Sequence, residues 1–298
     1  MIPRVVHFIF GLSPDFGKRS FSYIHYLSVI TAWKQLKPDN IYFHYEFEPQ
    51  GQWWDKAKKY VVLNKIISPD TVFGNPIISY QHKADVLRLE ILKEYGGIYL
   101  DIDVISLNPF DSLLSYKNVM GVEPSVGLCN AVILAEKNSK FIESWYMSYK
   151  SFKREIWNYH SIQMPLKIAN SMEKEIRIEN YYSFYYPFYK DTAHYHLWGV
   201  RPDAREILIA AMKNLILKLY TTLPGSNKKY YPILHQFKSQ QWHFEQMNQS
   251  YCIHLWETLW WSKYLSKIQP DFILDDNRSV FCSLIRNRLT DDEISGNV

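Results

Sequence analysis

Cysteine is scarce in this chain. Cys129, Cys252 and Cys282 are the three present in 298 residues, with no C-x-x-C spacing and no even-numbered framework. That count favours a reducing compartment over a disulfide-stapled scaffold. An excess of one charge is also missing: 34 basic and 30 acidic residues leave a net charge of +4. The balance gives no reason to expect nucleic acid or a charged membrane surface as partner. Long apolar runs are absent too. The longest, near Leu208 to Leu219, is broken by Lys213 and Lys218 and is no membrane span. No signal-peptide pattern precedes the first candidate strand, which Ile2-Pro3-Arg4 enters directly. The expectation is a cytoplasmic protein without a transmembrane span and without a nucleic-acid partner, with peripheral association at a membrane left open.

Apolar and aromatic residues, in contrast, are plentiful. Hydrophobic residues make up 47% of the chain, and it carries 23 Tyr, 16 Phe and 10 Trp. A sizeable core follows, in one large or two small domains at roughly 100–200 residues each. Most of the aromatics serve packing, although such faces also stack on bases and sugar rings.

One stretch organises the rest: residues 80–107, YQHKADVLRLEILKEYGGIYLDIDVISL. Ala84, Leu87, Ile91 and Tyr95 recur at helical spacing, and Gly96-Gly97 stops the helix. Ile98-Tyr99-Leu100 reads as a strand buried on both faces. It runs into Asp101-Ile102-Asp103, where the chain leaves the core. Two carboxylates one residue apart at a strand end suit a hard cation such as Mg²⁺ or Mn²⁺, and such ions suit a diphosphate. Ligands of open α/β sheets bind outside the carboxyl ends of strands. Asp-x-Asp alone is also compatible with a solvated, capped turn. Asp85 and Arg88, three apart on the helix, share a face. Their simplest role is a surface ion pair worth under ~1 kcal/mol, but they flank the apolar stripe and are placed to be partly sheltered.

ADVLRLEILKEYGGIYLDIDV resembles the DXD-containing sugar-binding region of glycosyltransferases. These are retaining enzymes of GT-A fold that include Och-type mannosyltransferases, α-1,4-galactosyltransferase-like proteins and bacterial capsular polysaccharide synthesis enzymes. The opening IPRVVHFIFG and the late IHLW fit the same pattern, so the resemblance runs from Ile2 to about Trp261. It implies an α/β, GT-A-like (Rossmann-like) architecture: a mostly parallel central sheet flanked by helices, with a helical acceptor-side insertion. One domain over 1–268 is expected, with a nucleotide-sugar half at 1–115, an acceptor half at 116–268 and a C-terminal extension at 269–298. The implied chemistry is metal-dependent transfer of a hexose from a nucleotide diphosphate sugar, a UDP-sugar above others, to a glycan hydroxyl with retention.

The resemblance also implies roles. Asp103 binds Mn²⁺ or Mg²⁺, and Asp101 binds the metal or the ribose. Asp85 and Arg88 hold donor-sugar hydroxyls, while Phe10 and Tyr99 lie at the nucleotide. Asn130, at the start of an apolar strand, approaches the donor sugar or the acceptor. His254, delivered by the strand-like YCIHL, completes the metal shell, with Trp256 beside it at the substrate. Each has a plainer alternative: Phe10 as core, Asn130 as a strand-end amide, His254 as a structural histidine. No nucleophile is evident.

Along the chain, strands are expected at Val5–Phe10, Ile41–Phe47 and within Tyr60–Ile67, with helices at Phe21–Leu36 and Trp53–Tyr60. This β-α-β-α-β-α-β order argues for a parallel sheet. The inward face of the first helix is read as Tyr23, Tyr26, Leu27, Ile30 and Trp33. His7 has no evident partner. Trp157-Asn-Tyr-His-Ser161 touches an acceptor sugar or caps a helix from Ile162. Asp203–Glu206 has the form of a capping box for a helix to about Tyr220. Thr290 onward reads as a frayed tail. Two other function classes fit an Asp-x-Asp chain rich in aromatics: a phosphoryl-transfer enzyme and a non-catalytic carbohydrate-binding protein. The first places its pair after the first strand, whereas here that strand ends in Phe10-Gly11. The second has no need of Asp85, Arg88 and the acid pair together.

Overall fold

The structure is a computed structural model that describes all residues except 125, 190–192, 201–203, 206–207, 209–211 and 213–237. The elements begin with β1 (Val5–Ile9), α1 (Tyr23–Leu36), β2 (Asn40–Tyr45), α2 (Gln52–Ala57) and β3 (Val62–Lys65). A small ribbon of β4 (Thr71–Val72) and β5 (Asn75–Pro76) leads to α3 (Tyr80–Tyr95) and β6 (Gly97–Leu100). Then come β7 (Val104–Ser106), β8 (Asn118–Glu123), β9 (Gly127–Ala135), α4 (Lys140–Ser148), α5 (Met164–Ser171), β10 (Arg177–Glu179) and β11 (Cys252–His254).

Seven strands form the central sheet in the order β10-β8-β9-β6-β1-β2-β3. Six of these strands run in one direction; β9 is reversed and pairs antiparallel with both β6 and β8. The expected mostly parallel α/β sheet with flanking helices is therefore present. Val6, Phe8, Phe43, Leu100 and Ile133 are fully buried along its centre, as a sheet covered on both faces requires.

Three expectations change. Trp33 does not face inward: it is 45% exposed and packs on Tyr60, with ring centroids 5.0 Å apart. Along α3 the buried surface is wider than the expected stripe. Val86, Leu89 and Leu92 are buried while Tyr95 is exposed, because α3 is covered by the sheet on one flank and by α4 on another. The C-terminal segment does not fray. Thr290 caps a helix at Asp291–Ser295 through a capping box with Glu293. That helix docks on α1, where the Tyr23 and Tyr26 hydroxyls donate to the carbonyls of Ile294 and Glu293 at 2.9 and 2.6 Å. The capping box expected at Asp203–Glu206 and its helix fall mostly outside the described residues. Among the described residues no helix is long and apolar enough to cross a membrane.

Candidate active site

A cleft of about 540 Å³ opens at the carboxyl ends of the parallel strands. It is built from the stretch that dominates the sequence. Ser79 caps α3 by accepting the His82 N–H, and Gly96 ends the helix with φ of +68°. A side chain at Gly96 would bring a Cβ within 2.6 Å of the Lys137 backbone nitrogen, so glycine alone fits the turn into β6. From there β6 carries Tyr99 to full burial and releases Asp101 at the cleft floor.

Arg88 is the centre of the polar network. It is buried, and its Nη1 donates to Asp101 Oδ1 at 3.1 Å and to the Asn130 carbonyl at 2.8 Å. Its Nη2 lies 3.2 Å from Asp85 Oδ1. The guanidinium also stands 4.6 Å above the Tyr99 ring, and the Tyr99 hydroxyl donates to Asp101 Oδ1 at 2.7 Å. The Asn130 amide donates to Asp85 Oδ1 at 2.7 Å. Asp85, Arg88, Tyr99, Asp101 and Asn130 thus form one connected unit, in place of the exposed ion pair that helix spacing alone allows.

Asp103 is held from the other side of the sequence. The antiparallel pair β11–β7 sets His254 opposite Val104, and the Leu255 N–H donates to the Asp103 carbonyl at 3.0 Å. His254 Nε2 lies 3.3 Å from Asp103 Oδ1, while the Glu257 N–H donates to Oδ2 at 2.7 Å. Burial would push the Asp103 carboxyl up, but the imidazole and the Glu257 N–H outweigh it and hold the carboxyl below its usual range. Burial would push His254 down, and Asp103 reverses that, so the imidazole is raised.

Asp101, Asp103 and His254 each offer a ligand atom, all within 4.8 Å of one another. His254 Nδ1 is buried without a hydrogen-bond partner among the described residues. Two carboxylates and an imidazole suit Mn²⁺ as a donor set, since oxygen ligands select hard cations and Mn²⁺ accepts nitrogen more readily than Mg²⁺ does. The residues fit a divalent ion.

Phe10 lines the cleft from the end of β1, stacked on Phe16 with centroids 5.8 Å apart. Trp256 lines it as well; its indole donates to the Pro187 carbonyl at 3.2 Å, and its ring lies 4.2 Å from that of His254. All nine sequence-selected residues therefore meet in this one cleft. Arg19 and Glu123 join them without having been expected. Glu123 ends β8, buried, and Arg19 lies 3.9 Å from the Glu257 carboxylate. No local pattern marks either one, since only the sheet order and the return of β11 bring them here.

Residues 18–120 match the family described as glycosyltransferase sugar-binding region containing DXD motif. The chain is 40% identical over 202 residues to glucan organizing enzyme 1 of Cryptococcus neoformans, a match covering 63% of this chain and 55% of that protein. It is 30% identical over 125 residues to inositol phosphoceramide mannosyltransferase 3 of Schizosaccharomyces pombe, covering 42% and 33% of the two chains. The match thus spans about half or less of the length of these relatives. Among solved structures, the glycosyltransferase GlyE of Streptococcus pneumoniae superimposes with a TM-score of 0.41 at 15% identity, covering 90% of this chain and 66% of that one. Asp85, Arg88, Tyr99 and the acid pair all lie inside the span that is similar to the glycosyltransferase sugar-binding region containing DXD motif.

Proposed function

We propose that the protein is a metal-dependent glycosyltransferase. It moves a hexose from a nucleotide diphosphate sugar, with UDP-sugars the first candidates, to a hydroxyl of a glycan. The carrying observation is the meeting of Asp101, Asp103 and His254 ligand atoms within 4.8 Å at the floor of a strand-end cleft. Asp101, Asp103 and His254 would hold Mn²⁺ or Mg²⁺, which when bound supplies charge neutralisation at the departing diphosphate.

The other residues have roles that follow from their contacts. Asp85 and Asn130, bonded to each other, present acceptors and donors to donor-sugar hydroxyls, and Arg88 fixes both relative to Asp101. Phe10 offers an aromatic face to the base, and Trp256 closes the cleft beside His254. In the transfer, the acceptor oxygen forms a bond to the anomeric carbon. The bond from that carbon to the phosphate oxygen breaks, its electron pair leaves on the diphosphate, and the acceptor proton passes to the leaving phosphate oxygen. Retention is proposed on the resemblance to retaining enzymes alone.

The test is a screen of nucleotide sugars for thermal stabilisation and for slow hydrolysis with and without Mn²⁺. At least one nucleotide sugar should raise the melting temperature and be hydrolysed when Mn²⁺ is present, and both effects should vanish with chelator. Absence of binding and hydrolysis across UDP-, GDP-, ADP- and dTDP-sugars would contradict the reading.

A further inference from the structure

Four strands reach the cleft in the sheet order β1, β6, β9, β8. Phe10 follows β1, Asp101 follows β6, Asn130 lies on β9 and Glu123 ends β8, and all four line the cleft. A donor with its base at Phe10, its phosphates at the acid pair and its sugar at Asp85 and Asn130 leaves the cleft wall beyond Asn130 for the second substrate. Trp157, Asn158 and Ser161 also line the cleft, at the start of a turn that packs against β9.

The backbone of this segment is pinned. Tyr159–Gln163 forms a π-helical turn in which the Gln163 N–H donates to the Asn158 carbonyl at 3.1 Å. Such turns concentrate at functional sites. The Gln163 side chain donates to Asn158 Oδ1 at 2.9 Å, and the Trp145 indole donates to the His160 carbonyl at 2.6 Å. A Cβ on Gly127 would come within 2.2 Å of the Ile162 carbonyl oxygen, so the turn rests directly on the first residue of β9.

On this fixed base Trp157 is 59% exposed while lining the cleft. A single exposed apolar side chain is ordinary on a surface. This one is different in lining a cleft wall next to a hydrogen-bonded turn, with its carbonyl 3.4 Å from His82 Nε2 and its ring against His82 at 4.8 Å between centroids. His82 precedes Asp85 by less than one turn of α3. The indole and the carboxylate assigned to the donor sugar line the same cleft. An indole offers a flat apolar face and one N–H donor, which matches the C–H face and ring hydroxyls of a pyranose.

We propose that Trp157, with Asn158 and Ser161, forms the acceptor subsite, and that the acceptor presents a pyranose ring there. This rests on the glycosyltransferase reading above. The test compares wild type, Trp157→Ala and Trp157→Phe in three readouts: nucleoside diphosphate affinity, donor hydrolysis by water, and transfer to a panel of gluco-, manno- and galacto-configured disaccharides. Trp157→Ala should raise the acceptor KM about tenfold, the loss of roughly one stacking contact. Diphosphate affinity and donor hydrolysis should stay at wild-type values, and Trp157→Phe should recover most of the acceptor affinity. An unchanged acceptor KM overturns the subsite, and so does an equal loss of diphosphate affinity, which would put the base on Trp157. If no donor is hydrolysed by wild type, the glycosyltransferase reading fails first. The subsite is then judged by disaccharide-induced change in tryptophan fluorescence. It stands if the change is present in wild type and absent in Trp157→Phe, and it falls if the two respond alike or neither responds.

Discussion

Arg88 ties together more of the site than either aspartate of the acid pair. Its guanidinium serves Asp85, Asp101, the Asn130 carbonyl and the Tyr99 face at once, and it is 5% exposed. Spacing in the sequence shows that Asp85 and Arg88 share a helix face; it does not show that the face is sealed. Sealing changes the energetics, because an exposed pair is worth about 1 kcal/mol or less, whereas removing one member of a buried pair costs about 3–5 kcal/mol. Arg88→Ala is expected to lose stability in that higher range in urea unfolding, since it strands two carboxylates that have no other cation in the network. A loss of about 1 kcal/mol or less would mean that water reaches the network in the folded protein.

At the scale of elements, β1, β2 and β3 are stitched by a polar chain that the sequence hides. His7 and His44 are both buried. His7 Nε2 lies 2.9 Å from the Gly96 carbonyl, so it carries the proton and donates. His7 Nδ1 then accepts from His44 Nε2 at 3.1 Å, and His44 Nδ1 accepts from the Asn64 amide at 2.9 Å. Every step requires neutral imidazoles. Burial lowers His7 to about 4 and His44 to about 3. The unfolded chain takes up these protons near the ordinary histidine value of about 6.5, while the folded chain does not until far lower pH. Stability contributed by the neutral pair is therefore complete above about pH 6.5 and falls as pH drops toward 4. Between pH 7.5 and 5 the loss should be about 2 kcal/mol for each histidine, read from urea midpoints. His7→Gln should remove about half of that dependence, leaving the His44 share, and an equally steep dependence in the variant would contradict the assignment. Strand periodicity made β1 and β2 legible, but the register that sets His7 beside His44 is a property of the paired sheet, so His7 had no visible partner.

For the molecule as a whole, the sequence makes the scaffold legible where the signal is local. The β-α-β order, the glycine stop before β6 and the strand running into Asp101 are all read from adjacent residues, and the mostly parallel sheet follows from them. What local pattern cannot supply is closure. β11 returns from the far end of the chain to pair with β7 and bring His254 to Asp103. The last helix, Asp291–Ser295, reads as a polar tail but buries Ile294 completely against the body of the protein. Glu123 and Arg19 enter the cleft only through such long-range assembly. Only the resemblance anticipated His254 at the acid pair, and the β11–β7 pairing is the physical reason it sits there.

The central claim is that the Asp101–Asp103–His254 cluster is a working metal site. Its most direct test is donor turnover, measured on the best nucleotide sugar from the screen, for wild type and Asp103→Asn across a Mn²⁺ titration from full chelation upward. Wild-type turnover should rise from zero with added Mn²⁺. Asp103→Asn should stay inactive at every concentration while keeping the wild-type circular dichroism spectrum. Undiminished turnover in thoroughly chelated wild type, or in a folded Asp103→Asn, would contradict the metal-site account.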